Sequence, residues 1–336
     1  MPPPRVNHVD STTDRFDADR FDADQFEAGR HRLASLAYRL LGSAADAEDA
    51  VQDAFLRWQA ADRRQIKAPE AWLTKVVTNL CLDRLRSAQS RRERTAGAWL
   101  PEPLLDGDPM LGPADTAEQR ESVSLAVLTL MERLAPRERA VYVLREAFAH
   151  THAEIAAILD ITEPASQQHL HRARRRITAA RRGGTTDVAS DPTSDPATAR
   201  AIVEEFLAAA TSGRTDRLVA LLTDDAIAIS DGAGLTKTLL RYDTPERIAS
   251  IAQAGFTPTT AKRRFAGSPL TVHHALVNGT PALLFTVADQ VVGTVTFDIT
   301  NGRITTVRGI ATPTHLTRLT KTWQHHHPKP PPITRW

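Results

Sequence analysis

The chain has 336 residues, more than one ordinary domain holds, so two or three domains are expected. Its 42 Lys and Arg against 40 Asp and Glu give a net charge of +2, a near balance that averages over segments of opposite sign. A single cysteine, Cys81, excludes an internal disulfide framework and a cysteine-based zinc site, which points to a reducing, cytoplasmic setting, and no run of about 18 apolar residues marks a membrane span.

Residues 1–24 are Pro-rich and then acidic, with RFDAD in tandem, and read as a disordered arm whose second RFDAD copy can run into the first helix. Beyond Phe26, Leu33, Leu36, Ala37, Leu40 and Leu41 recur at helical spacing and Gly42 fits a helix stop. Ser43 reads as the N-cap of the next helix, with Asp46 three residues on. That helix buries Ala47, Val51, Ala54, Phe55 and Trp58 and presents Asp46, Glu48, Asp49, Gln52 and Asp53. The following one, from residue 69, buries Trp72, Leu73, Val76, Leu80 and Leu85 and leads into Arg84, Arg86, Arg91, Arg92 and Arg94. Residues 25–97 thus form a helical domain with an acidic and a basic face, which suits a module that grips a protein on one side and nucleic acid on the other.

Residues 98–117 are a linker dense in Pro, Gly and acids, without Lys or Arg. It nevertheless carries Trp99, Leu100, Leu104 and Leu105, and exposing such side chains costs on the order of 2 kcal/mol each, so they are expected to dock. In the second helical domain, residues 118–182, a short break at residues 160–163 between two amphipathic stretches predicts a helix-turn-helix. Thr162 is its candidate N-cap, Pro164 sits in the first turn, and Leu170, Ala173 and Ile177 are the buried stripe of the last helix. The opposite face carries Gln167, Gln168, His171, Arg172, Arg175 and Arg176, amides and guanidinium groups of the kind that reach bases and phosphates from a major groove.

A second linker, residues 183–196, leads to a region of different texture, residues 197–323. Two helices, 197–210 and 215–222, precede strands at 226–230, 270–277, 282–288, 291–299 and 304–310, and Asn-Gly turns at 278–279 and 301–302 join consecutive strands as hairpins. This order predicts an α+β cone. His273 and His274 are adjacent on a strand, so only one can face its interior. Tyr242 and the acids Asp225, Asp231 and Asp289 show no spacing that demands catalysis, so no catalytic residue and no cofactor is expected. Nor is a metal site: three consecutive histidines, 325–327, cannot all converge on one ion, and residues 324–336 read as a disordered tail.

Three stretches, DAEDAVQDAFLRW at 46–58, AWLTKVVTNLCLDRLR at 71–86, and LAPRERAVYVLRE with the helix-turn-helix ending LHRARRRI, together resemble an extracytoplasmic-function RNA polymerase sigma factor. WLPEP at 99–103 is similar to the linker motif of the sigma J type, which carries a C-terminal SnoaL-like or NTF2-like domain. The resemblance implies a multidomain fold: two all-α sigma domains, the second with the helix-turn-helix, and an α+β cone. It also implies promoter DNA and the polymerase core, through its clamp helices, as partners. On that match Asp46, Asp49, Gln52, Asp53 and Phe55 fall on the core-binding helix, Lys75, Asn79, Arg84 and Arg86 on the helix that contacts the minus-ten element, and Gln167, Gln168, His171, Arg172 and Arg175 on the reader of the minus-thirty-five element. Asn79 falls where the family captures a flipped base, whereas Phe55, Trp58 and Trp72 also read as core aromatics. Glutamines at 167 and 168, where the family often has a basic residue, suggest amide readout of adenine. Trp99, Leu100, Pro101, Glu102 and Pro103, with Asp231, Gly232 and Gly234 of the altered DGGGK motif, are implied in regulatory contacts between the cone and the sigma domains. Two other classes are open: a one-component regulator whose cone senses a small ligand, and a bifunctional protein with an isomerase-like cone.

Overall fold

In the computed structural model the described residues are 11–92, 100–112, 116–182, 195–236, 238–257, 269–326 and 328–335. Eight helices come first: α1 (Ser11–Leu41), α2 (Ala44–Ala60), α3 (Pro69–Arg92), α4 (Ala117–Glu121), α5 (Leu125–Met131), α6 (Pro136–Glu146), α7 (His152–Leu159) and α8 (Glu163–Arg182). Their boundaries follow local chemistry. Gly42 ends α1 at a φ of 69°, and the hydroxyl of Ser43 accepts from Asp46 N at 3.2 Å to start α2. Thr151 and Glu154 form a reciprocal capping box at α7, which closes on Asp160 in the left-handed region at φ 51°. Thr162 caps α8 through Ala165 N at 3.3 Å.

Ala37, Ala47, Ala50 and Ala54 are fully buried, and residues this small let α1 and α2 approach closely. One continuous apolar core runs from Phe26 through Trp58, Val77 and Leu128 to Ala180. The two helical modules are therefore fused, with α1 and α3 packed directly against α6 and α3 against α7.

The second half holds α9 (Pro196–Ser212), α10 (Thr215–Leu221), α11 (Pro245–Phe256) and α12 (Thr317–His325), with strands β1 (Leu222–Ser230), β2 (Leu240–Tyr242), β3 (Leu270–Val277), β4 (Thr280–Val287), β5 (Gln290–Thr300), β6 (Arg303–Ile310) and β7 (Pro332–Arg335). They form one sheet in the order β2-β1-β6-β5-β4-β3-β7, parallel only between β1 and β6. Both Asn-Gly turns are left-handed at both residues, with φ of 52° and 71° at Asn278 and Gly279 and 51° and 74° at Asn301 and Gly302. Against one face lie α9 and α11, and the space between is filled by Phe206, Phe256, Phe285 and Phe297 with ring centroids 5.0 to 6.0 Å apart. The other face is covered by α12 and by residues from outside the cone: Leu100 and Leu105 of the linker and Leu125 of α5.

Two expectations of disorder are corrected. Residues 11–24 continue α1, since after the opening prolines no Pro or Gly interrupts the tandem RFDAD segment and a helix can propagate through it. In the segment 324–336, α12 extends to His325 and β7 pairs with β3, because β3 would otherwise present an open edge and a strand that opens on a proline, Pro332, is tolerated at an edge. Elements without a counterpart in the sequence reading are α4, α5, α11, β2 and β7. Trp99, Arg94, Lys237, His327 and most of the second linker, 183–194, lie outside the described residues.

Candidate nucleic-acid interface

The outer face of α2 presents Asp46, Glu48, Asp49 and Gln52 to solvent, together with Leu56, one of few exposed large apolar side chains. Asp53 is half-buried and accepts from Arg84 Nη2 of α3 at 2.7 Å. Phe55 packs on Phe26 at 4.9 Å, so it belongs to the α1–α2 packing as much as to the surface.

On α3 the proposed DNA contacts divide. At about 100° per residue, Lys75, Asn79 and Arg86 lie within one narrow sector while Arg84 points the opposite way. Arg84 accordingly meets Asp53, and Arg86 is exposed beside Asp83 at 3.0 Å. Asn79 is half-buried. Lys75 Nζ reaches the helix-turn-helix, donating to Ala157 O at 3.1 Å and to Asp160 Oδ1 at 2.6 Å. The residue assigned to one DNA contact thus grips the C-terminal end of α7. Beside the start of α3, Trp72 stacks obliquely on Trp58 at 5.6 Å and lines an open cleft of about 530 Å³ with Asp62, Gln65, Ile66 and Lys67.

On α8, Leu170, Ala173 and Ile177 are buried as the periodicity requires, and Gln167, Gln168, His171, Arg172 and Arg175 are exposed together. Glu138 of α6 receives Arg172 Nε at 3.0 Å and Arg176 Nη1 at 2.7 Å. Glu146 at the end of the same helix receives Arg174 Nη2 at 2.7 Å.

The linker joins both halves. Leu104 and Met110 insert into the helical core, whereas Leu100 and Leu105 pack on the sheet. Glu102 is buried with its carboxylate over the start of α2, accepting from Ala44 N at 2.7 Å, a helix N-terminus being a natural seat for an anion. Burial raises its pKa, and the bonds from Ala44 and Ala45 oppose that rise. Asp106 N bonds to Leu276 O at 2.9 Å, so the linker continues along the edge of β3.

At the end of β3, Asn278 is 1% exposed. Its amide donates to Tyr38 Oη of α1 at 2.8 Å and to Val123 O at 2.7 Å, and its Oδ1 accepts from Leu104 N at 2.8 Å. Tyr38 Oη in turn donates to Glu102 O at 2.7 Å, and burial raises its pKa. Nearby, Arg318 of α12 forms a two-pronged bond with Asp108, at 2.7 and 2.8 Å, and also donates to Glu48 of α2. Neither Asn278 nor Arg318 is singled out by the sequence. Asn-Gly announces a turn there but not what packs on it, and Arg318 stands in a helix whose placement depends on the whole sheet.

Asp231 is buried and accepts from Ala233 N at 3.0 Å, Ala311 N at 3.0 Å and Thr312 N at 2.8 Å, so its hydrogen bonds stay within the cone. Gly232 has φ 59°, and a Cβ there would come 2.6 Å from Thr236 Oγ1. Gly234 has φ 74° beside Thr312. His273 and His274 do divide between faces: His273 meets Trp323 at 4.8 Å, while burial and the charge of Arg200 on α9 hold His274 below its ordinary pKa. Among the described residues there is no cluster of His, Cys, Asp and Glu fit for a metal ion and no helix long and apolar enough to cross a membrane.

An acidic helix, a basic helix-turn-helix and a cone clasping the segment between them make a multidomain DNA-binding transcription factor. The sequence matches the Sigma-70 region 2 family over residues 26–91 and the Sigma-70 region 4 family over residues 124–177. It is 41% identical over 212 residues to ECF RNA polymerase sigma factor SigJ of Mycobacterium tuberculosis, a match spanning 63% of this chain and 65% of that relative. With the probable ECF RNA polymerase sigma factor SigI of the same species it shares 32% over 293 residues, 85% of this chain and 92% of the relative. The crystal structure of SigJ superposes with a TM-score of 0.65 at 30% identity, covering 88% of this chain and 98% of that one. The chain belongs to the ECF RNA polymerase sigma factors, a family of transcription initiation factors, and carries a C-terminal α+β domain.

Proposed function

We propose that this chain directs the RNA polymerase core to a specific set of promoters and that its cone restrains it in cis, in the role a separate anti-sigma protein would fill. In this reading residues 25–97 bind the core through Asp46, Asp49, Gln52 and Asp53 and the minus-ten element through Lys75, Asn79 and Arg86. The cleft beside Trp72 has an aromatic wall suited to stacking an unpaired base. Residues 118–182 read the minus-thirty-five element through α8. The protein acts in the cytoplasm and has no catalytic step of its own: the acid in the altered DGGGK segment, Asp231, is saturated by backbone N–H groups. On the helix-facing side of the sheet, His274 Nε2 is buried without a hydrogen-bond partner, which marks where a small regulatory ligand is to be sought.

The observation that carries the regulatory reading is Asn278, one cone side chain bonded to α1, to the linker and to the segment before α5. While those bonds and the Lys75–Asp160 pair persist, the two helical modules are held in one fixed arrangement, with Lys75 turned onto the end of α7. Transcription from a mapped promoter with reconstituted polymerase tests this. Removal of the residues after 196 is expected to change promoter binding or transcript yield, and equal yields from truncated and full-length chains refute the restraint. Retention by core polymerase, abolished by Asp49→Lys with Asp53→Lys, separates this function from an operator-binding regulator, which would not be retained at all.

A further inference from the structure

Glu138 stands in the first turn of α6 and is only 4% exposed. A carboxylate withdrawn from water needs compensating donors, and three supply them. Ala135 N donates at 3.3 Å, Arg172 Nε at 3.0 Å and Arg176 Nη1 at 2.7 Å. Arg172 and Arg176 are one helical turn apart on α8, so a single carboxylate holds both. Their side chains remain 45% and 52% exposed, anchored at one edge and accessible at the other. His169 adds a second constraint, its Nδ1 lying 2.9 Å from Arg172 Nη2. Burial and the charge of Arg172 keep His169 below its ordinary pKa, so its ring is neutral and can accept that bond.

These contacts limit what Arg172 can do on DNA. Arginine recognises guanine by laying two N–H donors along N7 and O6. In Arg172, Nε is committed to Glu138 and Nη2 is engaged by His169, which leaves Nη1 as the nitrogen outside both contacts. The second N–H of Nη2 also remains, but Nε, which one of the two guanine-pairing edges requires, is taken, and a guanidinium held this way suits a phosphate oxygen, which accepts contacts from many directions. Arg176 lies a turn further from the start of α8, while Gln167, Gln168 and His171 are exposed in its first half, the part of a recognition helix that meets base edges.

We infer that Glu138 is a positioning residue that fixes Arg172 and Arg176 as a pair of phosphate clamps, so that discrimination among bases falls to Gln167, Gln168 and His171. This rests on the proposed reading of the minus-thirty-five element by α8 and adds a division of labour within it. The test is selection of promoter duplexes, randomised over the upstream element, by polymerase reconstituted with the full chain. Arg172→Ala should weaken all retained sequences by a similar factor, roughly fivefold or more, and reduce the salt dependence of binding by about one counterion, whereas Gln168→Ala should change which bases are selected. Glu138→Gln should weaken binding with the wild-type arginines and have no further effect when Arg172 and Arg176 are both alanine. A merely structural role would give the same loss in both backgrounds, and that result overturns the inference, as does a changed base preference in Arg172→Ala. If the wild-type holoenzyme selects no sequence at the upstream element, the minus-thirty-five reading itself fails and the inference with it.

Discussion

Asn278 suits its place for two separate reasons. Asparagine tolerates the left-handed φ of 52° that a two-residue hairpin needs, and its amide offers donors and an acceptor that Tyr38, Val123 and Leu104 use. Asn301 is a built-in control, with φ 51° in the same kind of turn but exposed to solvent. Asn278→Ala leaves buried partners unpaired at about 1 to 3 kcal/mol each, so a loss of about 3 kcal/mol or more in unfolding free energy is expected, with faster proteolysis in the linker. Asn301→Ala should lose only the conformational preference, about 1 kcal/mol. Chemical denaturation of both variants checks this, and equal losses would show that the turn matters and the bridging bonds do not.

The same dependence on a neighbour governs α12. Arg318 neutralises Asp108, whose side chain is 1% exposed, and its remaining amino group reaches Glu48 on the acidic face of α2. Arg318→Gln strands a buried carboxylate, for which about 3 kcal/mol is expected, and frees Glu48. Core polymerase should then bind this variant more tightly than wild type, measured by titration of labelled chain with core; weaker or unchanged affinity would remove α12 from competition for α2. Elements of this kind also show what the sequence could disclose. The caps at Ser43 and Thr162, the stripe Leu170–Ala173–Ile177 and four strands joined by turns were legible because each signal is local. The helix α11 had a legible signal too, Thr244 capping Pro245 ahead of Ile248, Ala249, Ala252 and Phe256. Three-residue β2 and the edge strand β7 exist only because β1 and β3 offer them partners, and no local pattern encodes that. The site was legible as residue types. The opposed orientation of Arg84 follows from helical angle alone, but the capture of Lys75 by Asp160 requires knowing that the helical modules share a core.

For the whole molecule, the two halves and the two helical modules carry a common pH dependence. Burial is the main cause that holds His150, His169, His273, His274 and His315 below their ordinary pKa. A base with a lowered folded pKa binds its proton more readily in the unfolded chain, so stability is complete above the unfolded value of 6.5 and is lost as pH falls through that value toward the folded one. Glu102 acts in the other direction: its raised folded pKa makes the folded chain the better proton acceptor from 4.5 upward, so acidification favours folding there. Five groups oppose one, and their window begins at higher pH, so melting temperature should fall as pH drops from about 7.5 to about 5.5. His150 ties this to the closed arrangement. Neutral, its Nε2 can accept from Arg32 Nη2 of α1 at 3.4 Å, but protonated it places a second positive charge against that guanidinium, only partly offset by Glu154 at 3.5 Å. The seam between α1 and the turn before α7 should therefore loosen before the cone unfolds, read as earlier loss of amide-exchange protection around residues 148–156 than in β4 and β5. A His150→Gln variant should retain more protection at the seam on acidification than wild type, and a seam that stays protected in wild type until the sheet opens would mean that His150 does not gate it.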